Sequence, residues 1–124
     1  MRKLSLLFAL LLPMLFSSCE FEEVDLGFPK TVNFTKDGGE IIISGETTFT
    51  HANIHNFKTG DQGKIQESET GEAFIYDWLK IEYSDFNNSE LTISAQPNKT
   101  GKSRELHIEI YSGPDYQTIK VVQE

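Results

Sequence analysis

Alternation with a period of two is the feature that most limits how this chain can fold. Leu91-Thr92-Ile93-Ser94-Ala95 and Leu106-His107-Ile108-Glu109-Ile110 make every second side chain apolar, and successive side chains of a strand point to opposite faces. Similar runs occupy Thr31 to Thr35, Glu40 to Ser44, Leu79 to Tyr83 and Thr118 to Gln123. Six or more short strands without a helical period predict an all-β fold, a single antiparallel β-sandwich. Asp37-Gly38-Gly39 reads as the turn between the first two strands. The stretch Asn56 to Glu72 breaks the pattern, being polar with Gly60, Gly63 and Gly71, and is expected to be a long exposed loop or a loosely packed hairpin.

The N-terminus follows different rules. Arg2 and Lys3 precede an apolar run from Leu4 to Phe16, and Ser17 and Ser18 follow it. A basic start, an apolar centre and small residues describe a cleaved secretory signal peptide, residues 1–18. The 13-residue run is shorter than the roughly 18 to 20 residues that span a bilayer. The chain's one cysteine, Cys19, stands at the expected cleavage point. That placement resembles the lipobox of bacterial lipoproteins, with Phe16 where leucine is usual, and implies that Cys19 is acylated. Two or more acyl chains hold a protein stably on a membrane where one does not.

Glu20, Glu22 and Glu23 follow the cysteine, with Asp25 close behind. In lipoproteins of the Bacteroidetes such an acidic tract resembles the signal for export to the outer face of the outer membrane. It also serves as a solvated tether, read here as residues 19–29 up to Gly27-Phe28-Pro29. The remaining 95 residues, 30–124, suffice for one domain with one core. Without Arg2 and Lys3, 9 basic residues face 19 acidic ones, a net charge of −10. Such a balance argues against nucleic acid as a partner, because phosphates require basic patches.

Gly38-Gly39 before a strand, Trp78-Leu79-Lys80-Ile81, Leu91-Thr92-Ile93 leading to Asn98, Arg104 opening a strand, and Val121-Val122-Gln123 at the end together resemble the BACON family. These are small immunoglobulin-like sandwiches of the Bacteroidetes, often attached to carbohydrate-active enzymes, and the likeness runs across most of residues 30–124. The resemblance implies a carbohydrate-binding or spacer role. Because the strand pattern runs to Gln123, with no catalytic domain to hold away from a membrane, binding or assembly is the expectation. Asn98 to Gly101 can form a turn stabilised by a side chain, and Arg104 can hold a loop by donating to carbonyls.

Carbohydrate sites rest on aromatic faces that stack on sugar C–H surfaces, with polar neighbours orienting the hydroxyls. The candidates are Tyr76, Trp78, Tyr83, Tyr111 and Tyr116, with Trp78 placed in the core and the tyrosines nearer the surface. The chain has no Gly-x-Ser-x-Gly elbow and no phosphate-cradling loop, so no catalysis and no cofactor are expected. His51 and His55 make a weak metal pair without a third ligand. Asp85, Asn87, Asn88 and Glu90 read as a turn. The expected protein is a lipid-anchored surface module for glycan or mucin; the alternative is an accessory that docks to envelope proteins through loop 56–72 or a strand edge.

Overall fold

The computed structural model describes residues 22–67, 71–84 and 89–124. Ten strands form two sheets: β1 (Glu22–Glu23), β2 (Thr31–Phe34), β3 (Gly39–Ser44), β4 (His51–His55), β5 (Lys64–Glu67), β6 (Gly71–Tyr76), β7 (Leu79–Ser84), β8 (Glu90–Ala95), β9 (Arg104–Ser112) and β10 (Asp115–Gln123). The first sheet runs β1-β10-β9-β4, with β2 also on β10, and the second runs β3-β8-β7-β6-β5. All pairings are antiparallel except those of β1 and β2, which lie parallel to β10 one after the other. The all-β sandwich expected from the alternation is the fold observed.

The core lies between the inner faces that the alternation marked. Ile54, Ile108, Ile110, Ile119 and Val121 come from the first sheet and Leu79, Ile81, Leu91 and Ile93 from the second, and all are 0% exposed. Burying each stabilises the fold by about 1.5–3 kcal/mol relative to exposure.

One local expectation is revised and two are made specific. Asp37-Gly38-Gly39 is the expected turn, and it joins strands of different sheets, because β2 pairs in the first sheet and β3 in the second. The turn carries the chain between sheets, and Gly38 is needed there: its φ is 76°, and a Cβ would sit 2.3 Å from the Ala95 carbonyl oxygen. Residues 22–28, read as tether, dock instead, with β1 on β10 and with Leu26 and Phe28 buried. Val24, Leu26 and Phe28 are spaced by two, a short period masked by the acids that precede it and by the Gly27-Phe28-Pro29 break. Within Asn56 to Glu72, residues 64–67 and the start of β6 form a paired hairpin, leaving a shorter loop at 56–63.

Gln117 secures the docked segment from the inner face of β10. Its Oε1 accepts from the amides of Leu26 (2.9 Å) and Phe28 (3.3 Å), and its Nε2 donates to the carbonyls of Phe28 (2.9 Å) and Pro29 (3.4 Å). Gln117→Leu strands these buried groups and is expected to cost about 2–4 kcal/mol. Urea unfolding measures the loss, and hydrogen exchange locates it in residues 24–29. A loss under about 0.5 kcal/mol, the usual range for a surface change, would contradict the clamp.

Candidate functional site

Tyr76 is the residue from which a site can be built. It ends β6, and the β6–β7 turn that follows places Asp77 at φ 52°, a left-handed position that Asp tolerates better than most residues. The Tyr76 hydroxyl accepts from Asn56 Nδ2 (3.1 Å) and donates to Asp61 Oδ2 (3.3 Å). Loop 56–63 is braced internally, with Asn56 accepting the Lys58 amide (3.0 Å) and Thr59 donating to Asp61 (3.0 Å). One tyrosine therefore pins a short, prestructured loop against the second sheet.

Between that loop, β5 and the β6–β7 turn lies a cavity of about 690 Å³. Tyr76, Ile65 and Ile75 give it apolar wall, and Asp61, Gln62, Lys64, Gln66 and Asp77 give it hydrogen-bonding groups. Ile65 is 68% exposed on the free edge strand, an uncovered apolar surface at the cavity wall. This combination, a small apolar floor with polar groups around it, suits a neutral polyhydroxylated ligand.

The other aromatic candidates are spread elsewhere. Trp78 is buried as expected, with the Arg104 guanidinium 4.7 Å above its ring. Tyr83, expected nearer the surface, is buried at 6% because its ring packs edge-on to Phe49 (5.2 Å) and stacks on Phe74 (6.2 Å). Its hydroxyl still finds partners: it donates to Glu72 Oε2 (2.7 Å) and lies 3.1 Å from His51 Nδ1.

Tyr111 and Tyr116 stand on the outer face of the first sheet in one cross-strand row with His51. The three rings cover one another: His51 stacks on Tyr111 (5.9 Å, 18°), and Tyr111 leans on Tyr116 (5.9 Å). Each spends ring face on a neighbour. Burial and a hydrogen bond to Glu109 hold the Tyr111 phenol protonated well above the usual tyrosine range. Phe57, which the sequence reading passed over, is 55% exposed and stacks on His107 at 4.3 Å. Its position in a polar loop gave no periodic signal.

His51 and His55 share a strand face, about 13 Å apart at the strand rise, too far to chelate one ion. Among the described residues no group of three or more His, Cys, Asp or Glu side chains is placed to hold a metal. Glu22 and Glu23 are exposed on β1, whereas Cys19, Glu20 and the Asp85 to Asn88 turn lie outside the described residues.

The matched pieces of the alternating pattern act in the fold as expected. Asn98 accepts from the Thr100 amide (3.1 Å) and donates to Lys102 O (2.7 Å); Arg104 donates to the carbonyls of Gln96 (3.4 Å) and Pro97 (3.3 Å). Residues 66–124 match the model of the BACON family. The family is described as "Putative binding domain, N-terminal". The BACON match supplies β6 to β10, including Tyr76 and Asp77, while Asp61 to Ile65 of the opposite cavity wall precede it. A protein from Bacteroides thetaiotaomicron solved by NMR shares the fold at a TM-score of 0.52 and 17% identity, over 79% of this chain and 82% of that one. No curated protein matches the chain.

His107 provides a pH signature for the outer face. Burial lowers its pKa below the ordinary 6.5, and Lys120 and His55 add to the shift against Glu105 and Glu109. The unfolded chain then binds the extra proton more readily, so this site's contribution is intact above about 6.5 and is lost as pH falls through that value. His107→Gln is expected to flatten the decline in stability between about pH 7 and pH 5. An unchanged slope would show that His107 titrates as a free imidazole.

Proposed function

We propose that this BACON-family protein is a non-catalytic, lipid-anchored surface module that binds neutral glycan, of the kind carried by mucin or polysaccharide, in the cavity beside Tyr76. The observation that carries the reading is that cavity: about 690 Å³ with an aromatic wall, an uncovered Ile65 and carboxylate, amide and ammonium groups around them. Sugar rings require this pairing of apolar face and directional hydrogen bonding. The family's description as a binding domain supports the general role.

An array of neutral glycans and mucins, probed with the purified protein at high surface density, tests the ligand. Tyr76→Ala should weaken retention roughly 5- to 10-fold, the equivalent of about 1–1.4 kcal/mol for one lost stacking surface. Tyr76→Phe keeps the ring but frees the loop and should fall between the two. Equal binding by wild type and Tyr76→Ala would remove this cavity as the site.

A second reading, an accessory that docks envelope proteins, is favoured by Ile42, which is 63% exposed on edge strand β3. Retention of no glycan, with Ile42→Lys abolishing capture of an envelope protein by crosslinking, would select it.

The anchor belongs to the same proposal. Cys19 carries the acyl chains, and the acids from Glu20 to Glu23 direct the protein to the exterior face of the outer membrane. Cys19→Ala should move the protein from the membrane fraction to the soluble fraction and abolish incorporation of labelled palmitate. Retention of the variant on membranes would refute lipid anchoring.

A further inference from the structure

Charge in this acidic protein is sorted along strand β10. At its start, Asp115 pairs with Glu22 on β1, and Glu23 and Asp25 follow. About 26 Å away, at the strand rise, the end of β10 stands beside two adjoining hollows of about 350 and 330 Å³ that share Ser103. Lys36 and Lys102 line the first; Lys58, Arg104 and Lys120 line the second. Five of the nine basic residues among the described residues thus meet at one end, against two lining carboxylates, Glu105 and Glu124.

Those cations differ in availability. Lys120 pairs with Glu105 (3.3 Å), and Arg104 is committed to Gln123 and to backbone carbonyls. Lys36, Lys58 and Lys102 are exposed and make no ion pair among the described residues. Clustered, unpaired ammonium groups repel one another, and a bound anion removes that repulsion.

We infer that these two hollows form a second binding site, separate from the Tyr76 cavity, for an acidic saccharide whose carboxylate or sulfate groups are held by Lys36, Lys102 and Lys58. The choice of a saccharide rests on the carbohydrate reading of the protein. It also rests on shape, because the two hollows adjoin at Ser103 and offer neighbouring concavities to an extended chain.

Binding of the purified protein to immobilised polygalacturonate, dextran sulfate and neutral dextran tests the inference, with duplex DNA as a competitor. Retention of at least one acidic polymer and not of dextran is expected, weakening roughly tenfold between about 50 and 200 mM salt. Which polymer binds distinguishes carboxylate from sulfate. Lys36→Glu with Lys102→Glu should reduce retention at least about tenfold, and Lys58→Glu less, while Tyr76→Ala leaves it unchanged. These lysines are exposed, and circular dichroism checks that each variant is folded.

Failure to retain either acidic polymer, equal retention after charge reversal, or displacement by duplex DNA at the same charge concentration would overturn the site. Loss of retention in Tyr76→Ala would overturn it too, by moving the anion to the other cavity. Neutral glycan binding at Tyr76 can stand or fall independently of the first three results.

Discussion

Two glutamines on the inner face of β10 hold together what pairing alone cannot. Strands β1 and β2 both lie parallel to β10, and the chain between them has no ladder of its own. Gln117 satisfies backbone groups of that connection, while Gln123 at the other end is fully buried and donates to the carbonyls of Thr35 (3.1 Å) and Gln96 (2.7 Å). Buried backbone groups without partners are costly. Each amide side chain presents donor and acceptor together, so one residue can stitch two segments that no strand register brings into pairing. Between the two lie Ile119 and Val121, fully buried, so the inner face of β10 is apolar from one glutamine to the other.

That stitching also sets the frame for the rest of the sandwich. Gln123 Oε1 accepts from Arg104 Nε (2.9 Å), and Arg104 in turn packs on Trp78, which belongs to the β6–β7 turn of the other sheet. The same turn carries Tyr76 and Asp77 into the cavity. The cavity's second wall comes from loop 56–63, which crosses from β4 in one sheet to β5 in the other and is bound to both: Gly63 donates to Ile54 O (2.8 Å), and Asn56 and Asp61 hold the Tyr76 hydroxyl. A binding surface at a crossing between sheets inherits rigidity from both without using core volume.

Electrostatics divide the surface along the same strand. Acids gather at the end where the chain enters the domain, and basic side chains at the end of β10.

Period-two alternation determined the strands, the two-layer class and most of the core, because a strand with one buried face writes its burial pattern directly into sequence. The turn glycines and the roles of Asn98 and Arg104 were legible for a related reason, since each is a local backbone requirement met by few residue types. Pairing partners were not legible: Asp37 to Gly39 looks the same whether it closes a hairpin or passes between sheets, and the short period of Val24, Leu26 and Phe28 was masked by the acids before it. The aromatic residues show the same division. Sequence set Trp78 in the core and left Tyr76, Tyr83, Tyr111 and Tyr116 as equal candidates of one chemistry, and only packing separated those four, burying Tyr83 against Phe49 and Phe74, stacking Tyr111 on His51, and leaving Tyr76 beside the cavity. Local pattern is fixed by neighbours along the chain, whereas the exposure of an aromatic ring and the gathering of distant lysines depend on which strands meet, and that is settled by contacts between residues far apart in sequence.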